Sequence, residues 1–128
     1  YEDINKMRSY ITADNTLYRS AAIQCMGIAR FEYAEQALEQ AYSQQTEELK
    51  ELTLYTILRI RSGKALPFYV GAYGESTVAT TKFAILMCMY WYNEESRETF
   101  ELLESSADED DLLLFKEVRA VLVDPMIE

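Results

Sequence analysis

The chain has 128 residues, 49% of them hydrophobic, with 4 Gly, 2 Pro, no histidine and a formal net charge of −10. That length suits one domain, and that hydrophobic share supports a real core and excludes global disorder. So few breakers leave long uninterrupted segments, which excludes the short strands and frequent turns of an all-β fold.

The charge is unevenly placed. Residues 1–92 carry 10 acidic and 9 basic side chains, whereas residues 93–128 carry 12 acidic and 3 basic. Nucleic acid and anionic membranes need the opposite sign and are not expected partners; a cationic protein would be attracted. The two cysteines, Cys25 and Cys88, stand in apolar helical stretches. They are expected as buried free thiols of a reducing compartment, hence a cytoplasmic protein. The chain opens on Tyr1 rather than Met, as if an upstream segment had been processed or removed, and shows no signal-peptide pattern.

Taken in order, Glu2 to about Ile11 reads as a short helix with Ile4, Met7, Tyr10 and Ile11 on one face. A turn follows, with Asp14 and Asn15 as N-cap candidates. One long helix is expected from about Thr16 to Ser43, burying Tyr18, Ala22, Cys25, Ala29 and Tyr33 and then Ala34, Ala37, Leu38 and Ala41. Its alanines favour helix and close approach of a neighbour. Gly27 in its middle costs about 1 kcal/mol relative to Ala, so close packing or a kink is expected there. Gln44-Gln45 is a polar link. Thr46 caps a third helix that buries Leu49, Leu52, Tyr55, Leu58 and Ile57, and Arg59, Arg61, Ser62 and Gly63 end it.

Lys64–Ser76 is the least regular part, since Pro67, Gly71 and Gly74 interrupt Phe68, Tyr69, Val70 and Tyr73. One or two helical turns and an aromatic loop are both open readings. The longest apolar run, FAILMCMYWY at Phe83–Tyr92, belongs to a central helix beginning near Val78. It is too short to span a bilayer, which needs about 20 apolar residues. Asn93 ends it and caps a helix from Glu94 to about Glu104, whose inward face is Phe100, Leu103 and Leu102. Ser106 and Glu109 have capping-box spacing. The last helix runs from about Glu109 to Val123, where Asp124-Pro125 stops it. The reading is an all-α single domain over residues 1–128: six or seven helices packed as antiparallel hairpins around a central apolar helix, about Val78–Tyr92.

The chemistry is limited by what is missing. Without histidine there is no Ser-His-Asp or Cys-His nucleophile system and no Glu-x-x-His di-iron site. Gly71-Ala72-Tyr73-Gly74 lacks the Lys and Ser/Thr of a phosphate loop. Asp108-Glu109-Asp110-Asp111 lacks the alternating spacing and central Gly of a calcium loop and reads as a solvated helix start. Glu94, Glu98 and Glu101 share a helix face but have no companion base. No enzyme, metal or cofactor is expected. The candidates for partner binding are Glu94, Glu95, Glu98, Glu101, Asp108, Asp110 and Asp111 for steering, with Tyr69, Tyr73 and Tyr92 as interfacial anchors. Tyr18, Tyr33, Tyr55 and Tyr90 are expected to edge the core.

Lys82–Leu122 combines FAILMCMYWY, the turn NEE, the helix segment TFELLE and DDLLLFKEVRAVL, and an earlier stretch reads LYTILRIRSGKAL. In this pattern the chain resembles the helical immunity proteins of bacterial polymorphic-toxin systems, over about half its length. The resemblance implies a helical inhibitor that tightly neutralises a cognate toxin, often a nuclease whose basic active site suits an acidic blocker; it assigns no residue of the site. A hairpin adaptor or chaperone holding a peptide in a groove around Phe68, Tyr69, Tyr73 and Met89 is the alternative, and an apolar face of the Thr16–Ser43 helix could also join copies of the chain.

Overall fold

The computed structural model describes residues 2–29 and 32–127, and the side chains of residues 6–28 and 33–122. Among these all regular structure is helical: α1 (Glu2–Tyr10), α2 (Thr16–Ala29), α3 (Glu32–Ala41), a 3-10 turn (Tyr42–Gln44), α4 (Glu47–Ile60), α5 (Leu66–Glu75), α6 (Ala79–Tyr92), α7 (Glu94–Ser105) and α8 (Glu109–Ile127). Eight α-helices exceed the expected six or seven because Thr16–Ser43 is not one rod. Instead α2 and α3 pack against each other and both pack against α4, which a single straight helix cannot do. The expected Ile4 and Ala29 side chains fall outside the described residues.

The chain groups into two compact units, residues 1–68 and 69–128, with the boundary inside α5. In the first unit the core is built from Ile11, Ile23, Met26, Leu38, Leu54 and Ile57. Asn15 is the cap of α2, its Oδ1 accepting from the amides of Leu17 and Tyr18 at 2.9 and 3.1 Å. Gln45 of the polar link is buried and donates to the Ile11 carbonyl at 2.8 Å, tying the end of the 3-10 turn back to the end of α1. Thr46 caps α4 as expected, accepting from Leu49, and Arg61 ends it in the left-handed region at φ 52°.

The buried faces of α2 and α4 differ from the expected ones. α4 buries Thr53, Leu54, Thr56, Ile57 and Ile60 beside Leu49, leaving Tyr55 exposed. Thr53 and Thr56 tolerate burial because each hydroxyl donates to the carbonyl four residues back, Leu49 and Leu52, at 2.6 and 2.7 Å. α2 buries Ala22, Ile23 and Met26, and turns Tyr18 and Cys25 outward. Gly27 is a close-packing site: a Cβ there would stand 2.8 Å from Thr56 Cγ2.

In the second unit α6 packs against both α7 and α8, with Ile85, Leu86, Cys88 and Met89 buried. Each such side chain contributes about 1.5–3 kcal/mol of transfer free energy. α5 is a helix rather than a loop, since Pro67 sits in the first turn, where its missing N–H has no helical partner to lose, and Gly71 and Gly74 meet open space. The end of α8 is also later than expected. Pro125 lies in the last turn, so only one backbone bond, to the Val121 carbonyl, is forfeited before the helix ends at Ile127. Among the described residues no helix is long and apolar enough to cross a membrane.

Candidate functional site

The anionic character belongs to the second unit, in which 13 acidic residues face 4 basic ones. Its geometry starts at the corner between α6 and α7. Asn93 Oδ1 accepts from the Ser96 amide at 2.8 Å, and the Asn93 amide donates to Ser96 Oγ at 3.0 Å. The Ser96 hydroxyl donates in turn to the Met89 carbonyl at 2.6 Å, so one buried serine joins the last turn of α6 to the first turn of α7. Glu94 and Glu95 follow the cap, beside the partial positive charge of the helix start.

On α7, Ser96 and Phe100 face inward, and the opposite ridge carries Glu94, Glu98 and Glu101, all exposed. Leu102, expected on the inward face, is 70% exposed. At 100° per residue it lies between Glu98 and Glu95 on the outward side, away from Phe100. The carboxylates of α8 form a second group. Asp108, rather than Ser106, caps α8, its Oδ1 accepting from the Asp111 amide at 2.8 Å, while Asp108, Glu109 and Asp110 are exposed. A 12-residue helix is about 18 Å long, so Glu94 and Asp108 stand near opposite ends of α7. Of the seven carboxylates proposed from sequence, Glu94, Glu95, Glu98 and Glu101 run along α7, whereas Asp108, Asp110 and Asp111 belong to the start of α8.

Asp111 does not belong to the outward set. It accepts from the Tyr73 hydroxyl at 2.8 Å and pairs with Lys82 Nζ at 3.1 Å. The Tyr73 hydrogen bond and then the Lys82 contact hold its carboxyl below the usual range, against the opposing effect of burial. Burial, and then Asp111, push the Tyr73 hydroxyl up. Arg119 likewise grips Glu104 with two parallel bonds of 2.7 and 3.0 Å, which holds the Glu104 carboxyl down. Both cations also cover aromatic rings: Lys82 lies 5.7 Å from the Tyr73 centroid, and Arg119 lies 5.3 Å from that of Phe100. Arg97 sits over Tyr90 at 4.4 Å. Lys82 and Arg119 are thus committed to inward-lying carboxylates, while the outward ones dominate the surface.

The tyrosine anchors need correction. Tyr69 and Tyr92 are buried and meet edge to face, with centroids 5.7 Å apart. Tyr73 is half-buried and meets Phe115 edge to face, with centroids 6.0 Å apart. Tyr69 and Tyr92 thus have no ring face at the surface, whereas Tyr73 is partly exposed. Of the residues expected to line a peptide groove, Tyr69 and Met89 are buried and Phe68 and Tyr73 are partly exposed. An open apolar groove of about 350 Å³ lies elsewhere, in the first unit, lined by Met7, Tyr10, Tyr18, Ala21, Ala22 and Cys25. Leu17 and Ile28 of α2 are also exposed, at 78% and 75%.

Sequence reasoning also missed Trp91, the single tryptophan, which is 47% exposed. Helical periodicity puts it in register with buried Ala84 and Cys88, so no sequence signal marks it. Glu35 and Glu39, one turn apart on α3, were missed too. Glu35 is buried and accepts from Ser62 at 2.5 Å, and burial followed by repulsion from Glu35 raises the Glu39 carboxyl to about 7. The i, i+4 spacing was visible, but nothing showed that it points inward. Among the described residues no group of three or more His, Cys, Asp or Glu side chains is placed to hold a metal ion. No protein-family model, curated protein or solved structure matches this chain.

Proposed function

We propose that this protein is a non-catalytic, acidic binding module that docks on a basic protein and blocks it, in the manner of a cytoplasmic bacterial immunity protein neutralising a toxin. The observation that carries this reading is the outward ridge of α7. Glu94, Glu98 and Glu101 are exposed with Glu95 beside them, while Lys82 and Arg119 of the same unit are held by Asp111 and Glu104. Such a face speeds encounter with a cation-rich surface and fixes its register. The test is co-purification and inhibition with the basic, toxin-like protein encoded beside it. Charge reversal at Glu98 and Glu101 slows association about 10-fold at low salt while leaving the far-UV spectrum unchanged. Unaltered association would sink the electrostatic reading. Asp111 is a poor choice for reversal, since losing its contacts with Lys82 and Tyr73 perturbs the fold itself.

The groove between α1 and α2 favours a second reading, an adaptor that holds an apolar peptide segment. Substituting Ala21 by Glu separates the two: it abolishes peptide capture by an adaptor and leaves toxin neutralisation intact.

A further inference from the structure

The second unit holds two of its own cations in the same way. Lys82 lies over the Tyr73 ring and against the Asp111 carboxylate, and Arg119 lies over the Phe100 ring and against Glu104. Ring face and carboxylate act together here, because the quadrupole and the formal charge attract the same cation while the ring excludes water from one side. The corner between α6 and α7 carries the same two ingredients on its outside. Trp91 is 47% exposed, and exposed Glu94 and Glu95 follow within four residues. A chain advances at most about 3.6 Å per residue, so the Glu94 Cα lies within about 11 Å of that of Trp91. A guanidinium stacked on the indole is then within reach of a carboxylate. The Asn93–Ser96 capping box and the Ser96–Met89 bond hold the two helix ends in one arrangement. Among the described residues, none of the chain's own cations lies over the Trp91 ring.

We infer that Trp91, with Glu94 and Glu95, is the docking point for an arginine side chain of a basic protein partner, the indole taking the guanidinium face and the carboxylates its N–H edge. The inference rests on the anionic-module reading above and names the contact that sets its register. Arginine fits better than lysine because a planar guanidinium stacks and donates in a fork, whereas an ammonium does neither. Tryptophan is the strongest of the aromatic cation acceptors and is enriched among residues that dominate binding.

The single tryptophan makes the test direct. The full chain is titrated at low ionic strength with a dye-labelled oligoarginine peptide, and with oligolysine of equal length, following both peptide anisotropy and Trp91 emission. The expected result is a saturable change in Trp91 emission that tracks anisotropy and is larger with oligoarginine. Trp91→Ala weakens the oligoarginine complex about 3- to 5-fold and Trp91→Phe less, as expected for an exposed cation–π contact. Glu94→Gln with Glu95→Gln removes the emission change, whereas Asp108→Asn with Asp110→Asn, at the start of α8, leaves it in place. Peptide that binds by anisotropy with no emission change, or equally well to Trp91→Ala, overturns this inference and leaves the anionic module standing. Peptide that does not bind the intact chain at all overturns both.

Discussion

Gly27→Ala probes a close approach of α2 to α4 in the first unit. Alanine is the better helix former by about 1 kcal/mol, so an open helix would gain that amount. Here the added Cβ would stand 2.8 Å from Thr56 Cγ2 and 3.2 Å from Arg59 Nη2. Carbon atoms pack best at about 3.5–4.0 Å, so the methyl contact is short by roughly 1 Å. Arg59 is exposed and swings away at little cost. Thr56 does not: it is 1% exposed, β-branched, and its hydroxyl is fixed on the Leu52 carbonyl at 2.7 Å. Overpacking of this kind costs about 1–3 kcal/mol, which leaves a net loss near 1 kcal/mol after the propensity gain. The assay is urea denaturation followed by far-UV circular dichroism, with the m-value unchanged and the midpoint lowered. Thr56→Ser deletes the opposing methyl and keeps the hydroxyl, so the double variant recovers the loss, with a coupling of about 1–2 kcal/mol. A Gly27→Ala protein more stable than the parent, or a double variant no better than the single, would refute the close approach of α2 to α4.

Two further outcomes follow from the titratable groups. The Glu39 carboxyl, raised to about 7 in the folded chain, keeps its proton where the unfolded chain has lost it. Its contribution to stability is therefore whole below about pH 4.5, falls as pH rises toward 7 and is gone above that. Full burial would make the loss about 3 kcal/mol, and partial exposure reduces it to about 1 kcal/mol. Glu39→Gln should gain on the parent across this interval and hold a constant advantage above it; an advantage that stays flat from pH 4 to 8 would contradict the burial. For the cysteines, burial pushes the Cys88 thiol up to about 12, whereas Cys25 lines the open groove and is exposed. A thiol-specific chromogenic reagent at pH 8 should label one cysteine per native chain and two after denaturation, with Cys25→Ser abolishing the native signal. Rapid labelling of both would place Cys88 outside the core.

How much was legible in the sequence follows the range of the interaction concerned. Helix ends set by local bonds were readable: Thr46 before α4, Asn15 before α2 and Asn93 before α7 each satisfy amides two or three residues away. The all-helical class followed from few breakers and from apolar spacing, and the acidic ridge of α7 from the spacing of Glu94, Glu98 and Glu101. The direction in which each helix faces was not readable. Expected-inward Leu102, Cys25 and Tyr55 are exposed, and the expected anchors Tyr69 and Tyr92 are buried. In Thr53, Thr56 and Ser96 a polar side chain takes a core position because a backbone carbonyl within seven residues accepts its hydroxyl proton. Hydrophobicity alone scores those residues as outward. Periodicity tells which residues of a helix share a face; only the neighbours packed against that face decide whether it meets the core or the solvent. For that reason the sequence by itself determined the charge of this surface and the helices that carry it. Tertiary structure decided that Asp111 turns inward to Lys82 and Tyr73, and that Trp91 stands exposed at the corner where α7 and its carboxylates begin.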